Sequence, residues 1–221
     1  MALGKALRAS VGLLGCLLLS GCATGPGGLP YDAWRLGLLA PNYMQAWIET
    51  VDVVDIQGRV FRSAMWGTPS INAPEALTGN PRGWPASPGW GKGRYVRGAA
   101  LPMVIYVRWQ SLIEPQTYEA LIPIPEATRQ QMVAGEKVPC AFSKQPAVEY
   151  RLGLNIGLAP GGIAKAWISG PCLKAIEVNR IQAQIVALGP DQGRSNGQYA
   201  LPLYPQTKTY IEKNGIPYGS W

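Results

Sequence analysis

A chain of 221 residues without a single histidine has a narrow chemical repertoire. Ser-His-Asp and Cys-His catalysis, histidine-ligated zinc and imidazole general bases are all removed together. What remains is carboxylates, cysteines and one basic stretch bearing tryptophans. Glu114, Glu119, Glu149 and Glu177 would serve glycoside hydrolysis only if two of them met about 5–10 Å apart across a cleft. Asp52 and Asp55 lie three apart in a β-branched run, so on a strand they point to opposite faces, and one reads as a turn residue. No residue is assigned a catalytic, metal-binding or cofactor-binding role. The expectation is a protein that binds rather than an enzyme.

The stretch with recognition chemistry is 67–100. It holds seven glycines, five prolines, Trp84 and Trp90, with Arg82, Lys92, Arg94 and Arg97 against a lone Glu75. It shows no hydrophobic periodicity and reads as a long functional loop or an insert. Gly91-Lys92-Gly93 is not a phosphate loop: Ala86 stands where the first glycine belongs, and Gly93 replaces the hydroxyl residue after the lysine. Trp and Arg are enriched at binding hot spots, so Trp84, Trp90, Lys92, Arg94 and Arg97 are candidate partner-binding residues. The alternative is that the tryptophans fold down as a lid on the core. Asp191 and Arg194, in a loop-rich C-terminal segment, are the other candidates.

The cysteines speak of compartment. Lys5 and Arg8 precede an apolar run from Ala9 to Leu19, with no acidic residue. Eleven residues of helix rise only about 16 Å, short of a hydrocarbon core of about 30 Å, as in a secretory leader. Leu19-Ser20-Gly21-Cys22 then resembles a bacterial lipobox. The resemblance implies cleavage before Cys22, acylation of its thiol and a lipid anchor, with Ala23 favouring the outer membrane. The reading is thus a signal peptide over 1–21, a lipidated tether over 22–44 and one periplasmic domain over 45–221. The leader carries two of the 20 basic residues and none of the 13 acidic ones, leaving a mildly basic mature chain. Nucleic acid is not an expected partner there; acidic protein surfaces or anionic headgroups are. Cys140 and Cys172 remain, in an oxidising compartment where a disulfide is the natural reading and two buried free thiols the alternative. A bridge closing about 33 residues contributes roughly 3.5–4 kcal/mol in the chain-entropy model.

Those candidates must be positioned by strands. Period-two or β-branched runs predict seven of them: 46–55, 60–66, 103–110, 116–124, 150–158, 163–169 and 180–188. Met103, Ile105, Val107 and Trp109 share one face of the third. In the fifth, Leu152, Leu154, Ile156 and Leu158 point inward, while Gly153, Asn155 and Gly157 leave room for another group to pack closely outside. Pro125 and Glu126 begin a helix that Gly135 ends, and a short helix follows Pro205 up to Asn214-Gly215. The fold class is mainly β: an antiparallel β-sandwich or curved sheet of about seven strands, with one helix between hairpins and long loops.

Three segments carry a family resemblance: Ile105-Tyr106-Val107-Arg108-Trp109-Gln110-Ser111-Leu112 with Glu114-Pro115-Gln116-Thr117-Tyr118, then Ile156-Gly157-Leu158-Ala159-Pro160-Gly161-Gly162, then Trp167 and Gly170-Pro171-Cys172. Over residues 45 to 190 the chain resembles a proteobacterial lipoprotein family of unknown function. Such lipoproteins are often encoded beside phospholipase effectors of the type VI secretion system and are thought to act there as immunity proteins. The resemblance implies an outer-membrane-anchored periplasmic protein whose partner is a secreted lipase-type effector. The alternative function is an envelope-assembly lipoprotein binding glycan or another envelope protein.

Overall fold

The computed structural model describes residues 25–85, 87–141 and 145–221. The leader and Cys22 lie outside the described residues. Twelve strands are present among those described. They are β1 (Ala33–Leu39), β2 (Ala46–Asp55), β3 (Val60–Gly67), β4 (Lys92–Arg97), β5 (Pro102–Ser111) and β6 (Gln116–Pro123), then β7 (Glu136–Val138), β8 (Ala147–Glu149), β9 (Gly153–Ala159), β10 (Ile163–Gly170), β11 (Leu173–Gln182) and β12 (Gln184–Ile185). Two helices, α1 (Glu126–Val133) and α2 (Pro205–Asn214), complete the set. The protein is mainly β, with two five-stranded sheets and the small β7–β8 hairpin. One sheet is ordered β11-β10-β9-β1-β4 and the other β12-β6-β5-β2-β3.

The sheets pack through the residues that alternation pointed inward. Trp34, Leu36 and Leu38 of β1 and Leu154, Ile156 and Leu158 of β9 meet Ile48, Val51 and Val53 of β2 and Ile105, Val107 and Trp109 of β5 in one continuous core. Met103, expected on that face, is largely exposed because it lies at the end of the sandwich, beyond the core. The change of parity in β2, from Ile48 to Val51, marks a bulge. Ile48 pairs with Trp109 and Thr50 with Arg108, leaving Glu49 as the extra residue. A bulge bends the strand and re-aims a side chain, here a carboxylate.

Three expectations are corrected. Residues 22–44 are not all tether: β1 lies between β4 and β9, antiparallel to the first and parallel to the second. Trp34, Leu36 and Leu38 alternate into the core, a period-two pattern that begins a few residues after the Gly/Pro cluster. Residues 67–100 are not all loop, since β4 forms a sheet edge within them. Residues 180–188 are not one strand: the chain leaves β11 at Gln182 and crosses to the other sheet, where β12 pairs with β6. That crossing ties the sheets along one side. Along the other, the Arg94 guanidinium stands 4.7 Å over the Trp66 ring, joining the edges β4 and β3.

The C-terminal segment closes one end. Tyr210 of α2 stacks on buried Tyr43 at 4.1 Å. Gln45 donates to the Pro202 carbonyl and accepts from the Tyr204 N–H. Gly215 ends α2 at φ 70° and ψ −175°, a positive-φ conformation that suits glycine, and its N–H donates to the Ile211 carbonyl. Cys140 and Cys172 are joined by a disulfide, their Cα atoms 5.3 Å apart.

Candidate functional site

The two tryptophans expected in a recognition loop lie half-buried on the outer face of the β9-containing sheet, where the glycines leave room. A Cβ on Gly157 would stand 2.6 Å from Trp84 Cη2, and one on Gly153 would stand 2.7 Å from Trp90 Cζ3. Trp84 meets Trp167 edge-on at 5.3 Å. Arg35 lies over the Trp90 ring and donates to the carbonyls of Trp90 and Gly91. Of the alternatives left open for this stretch, the structure shows the lid. Lys92, Arg94 and Arg97 stay exposed on β4, with Arg94 engaged on Trp66.

Asp191 and Arg194 lie elsewhere, on the outer face of the other sheet, beside a polar cleft of about 640 Å³. Its floor comes from β2 and β5 and its wall from 191–200. At the base is Glu49, placed there by the bulge. One carboxylate oxygen pairs with Arg108 Nε; the other accepts from Gln110 Nε2 at 2.9 Å and from the Asp191 N–H at 2.6 Å. The Glu49 and Arg108 side chains are only 5% and 9% exposed. Burial pulls the Arg108 guanidinium down, but the bond and charge of Glu49 more than offset this, and its pKa lies above the ordinary value. Arg108 also reaches the Tyr106 hydroxyl at 3.4 Å, and that hydroxyl donates to Glu119 at 2.7 Å. Burial, then the bond to Glu119, pushes the Tyr106 phenol up, so at neutral pH it is a donor.

The rim is also built from the sequence upward. Ser63 (φ 49°) occupies an irregularity in the β2–β3 register and donates its N–H to Asp52, which also accepts from Thr50 Oγ1. Opposite, Asp191 and Gln192 are left-handed at φ 51° and 54°. Non-glycine residues held there each cost of order 1–3 kcal/mol and concentrate at functional sites. Arg194 pairs with Asp191 at 2.6 Å and remains 70% exposed. Trp47, Arg62, Gln198 and Ala200 complete the lining. Asp191 and Arg194, named from the sequence as loop candidates, lie at this cleft, whereas Glu49 and Arg108 had no such role in the sequence reading. The detectable signal was parity: an apolar pattern that skips one position at Glu49.

Three of the four carboxylates considered for glycoside hydrolysis, Glu114, Glu119 and Glu177, are held in hydrogen bonds or an ion pair. Glu114 accepts from the hydroxyls of Tyr118 and Tyr218 and from the Gly161 N–H. Burial, then the bond to Glu114, pushes the Tyr218 phenol up to about 12. Glu119 accepts from Tyr106, Glu177 pairs with Lys165, and Glu149 lies in β8 opposite Glu136. Asp55 is the turn residue anticipated for one of the two aspartates. It is buried and accepts from the N–H groups of Gln57, Arg59 and Ala100 and from the Arg59 guanidinium.

A two-sheet β protein with a pre-paired polar cleft under a strained loop is the class that fold and site define. The family model for a protein of unknown function (DUF2931) matches residues 21–219, and the chain belongs to that family. No curated protein and no solved structure matches it.

Proposed function

We propose that the protein is a lipid-anchored periplasmic binding protein whose polar cleft receives a loop of a protein partner. In the finer reading, that partner is a phospholipase-type toxin delivered by type VI secretion, and binding neutralises it. The observation that carries the binding reading is the state of Glu49. A general base or nucleophile needs a free lone pair facing substrate. Glu49 instead is 5% exposed, and each of its oxygens already accepts, one from Arg108 and the other from Gln110 and the Asp191 N–H. It spends its charge holding the loop that forms the cleft wall, which pre-organises a recognition surface and lowers the ordering cost of binding. Arg62 and Arg194 give the rim exposed guanidinium groups, Arg194 beside its partner Asp191, that can donate to carbonyls or carboxylates of a partner loop. Tethering to the membrane raises local concentration where a phospholipase acts. The toxin assignment rests on the family resemblance drawn from the sequence.

The test is a periplasmic rescue. A phospholipase-like effector encoded beside this gene is produced in a susceptible host with and without the full chain. Survival that depends on the chain, and is weakened by Arg62→Glu with Arg194→Glu but not by Arg94→Glu, supports neutralisation through the cleft. Weakening by Arg94→Glu alone moves the surface to the β3/β4 edge. Equal killing with the protein well expressed sinks the toxin reading. A second reading, an envelope glycan as the occupant, is favoured by Trp47 beside Gln192, Gln198 and Asp52, groups that stack on and hydrogen-bond to sugars. Binding of glycan fragments, abolished by Trp47→Ala, would establish it.

A further inference from the structure

Where the chain enters the fold says how the anchored domain sits. Gly25 is already held: its N–H donates to the Leu29 carbonyl and its own carbonyl accepts from Gly28. Only Ala23 and Thr24 separate it from Cys22. Three trans peptide steps reach at most about 11 Å. A headgroup layer is itself about 5–7 Å deep on each side. A domain tethered this tightly cannot float free of the bilayer; whichever surface surrounds Gly25 must face it.

That surface carries an apolar strip flanked by Glu126, Arg129 and Gln130. Gly27 packs against Ala100, where a Cβ would come within 2.6 Å of the Ala100 Cβ, so the entering chain is pressed onto the sandwich end. Beside it lies a groove of about 360 Å³ whose lining includes Leu29, Ile56, Leu101, Arg129 and Val133. Leu29 and Leu101 are buried in its floor, whereas Ile56 and Val133 stand 47% and 37% exposed on its flanks. The Leu101 carbonyl accepts from the Ile56 N–H, and Met103, 46% exposed, holds the entry to α1 by accepting from the Ile124 N–H. Ile56 comes from the β2–β3 turn and Val133 from the last turn of α1. They converge only in the tertiary structure. Charge does not decide what covers them: Arg59 is engaged by Asp55, Arg129 donates to the Ile124 carbonyl, and Glu126 shares the groove.

We propose that Ile56 and Val133, over Leu29 and Leu101, form a membrane-resting surface, inserted at the headgroup–acyl boundary beside the acyl chains on Cys22. This rests on the reading of Cys22 as the lipidated residue. Contact is apolar, so it persists at high salt and does not require anionic lipid. The surface also orients the cleft. From Ile56, just past the end of β2, the chain runs back along that strand to Glu49, about 20 Å at strand rise. With β2 standing up from the bilayer, the cleft lies up to about 20 Å above it.

The experiment uses the full chain, processed in a diderm host, with p-benzoylphenylalanine placed singly at Ile56, Val133 or, as control, exposed Leu188 beside the cleft. After irradiation of isolated membranes, lipid adducts are counted by mass spectrometry, and the Cys22 peptide is read in the same sample. The proposal expects acylated Cys22, with lipid adduct yields at 56 and 133 at least about fivefold that at 188, unchanged after a high-salt wash. Acylated Cys22 with sparse lipid adducts at all three positions overturns the surface and leaves the anchor standing. Adducts at 56 and 133 to protein alone, a second copy or another envelope protein, also overturn it. An unacylated Cys22 overturns the anchor and this surface together.

Discussion

Arg108→Met is the substitution that tests the architecture of the cleft most directly. It keeps the length and apolar stem of the side chain while removing the guanidinium from a pair that is 9% and 5% exposed. Glu49 loses the partner of one oxygen but keeps Gln110 Nε2 and the Asp191 N–H on the other. Breaking a buried pair from one side costs about 3–5 kcal/mol, and the two retained donors place this case at the lower end, about 3 kcal/mol. For a domain of this size that lowers Tm by roughly 6–12 °C. Glu49→Gln, which keeps an acceptor for Gln110 and Asp191 but sets a neutral amide against Arg108, costs about 2 kcal/mol. Made together, the two substitutions leave no uncompensated charge, so the double variant recovers about 2 kcal/mol of the summed losses. Urea unfolding of the four proteins at neutral pH measures this, provided the m-values agree. If the double variant loses the sum of the single losses to within about 0.5 kcal/mol, the pair is uncoupled and the cleft is not organised around it.

Acid stability should report Asp55. Burial pushes its carboxyl up, but the Arg59 side chain and the N–H groups of Arg59, Ala100 and Gln57 outweigh this and hold it below the usual range. A depressed folded-state value means its stabilisation is complete above about pH 5 and is lost as pH falls through the unfolded value near 3.9 towards the folded one. Asp55→Asn should cost about 2 kcal/mol at pH 7 and flatten the acid limb of stability against pH; an unchanged limb would assign that limb to other carboxylates. Gly157→Ala tests the lid. Its Cβ would stand 2.6 Å from Trp84 Cη2, so Trp84 must swing outward, costing about 1–3 kcal/mol and red-shifting tryptophan emission. A variant with wild-type stability and emission would show that Trp84 does not rest on this face.

Local pattern alone determined much of the fold. The period-two runs of β2, β3, β5, β6, β9 and β10 and the proline- and glycine-marked ends of α1 and α2 are written in neighbouring residues, because a pleated strand or a helix cap depends on little else. The bare glycines at 153 and 157 marked a face on which another group packs closely, and the two cysteines made a bridge the natural reading. Tertiary structure alone decided which group lies over the glycines, that β1 lies parallel to β9 across more than a hundred residues, and that β11 hands the chain to β12 in the other sheet. Those are choices among distant pairings of similar local merit, settled by which arrangement buries Trp34, Leu36, Leu38 and Trp109 together. The cleft belongs with them. Glu49, Arg108 and Asp191 carry no shared sequence signature, and only the bulge in β2 and the return of the C-terminal loop bring the charge, its counter-charge and the backbone donor to one point. Buried charge tolerates no approximate placement, so its partners are fixed by the assembled fold rather than by spacing along the chain.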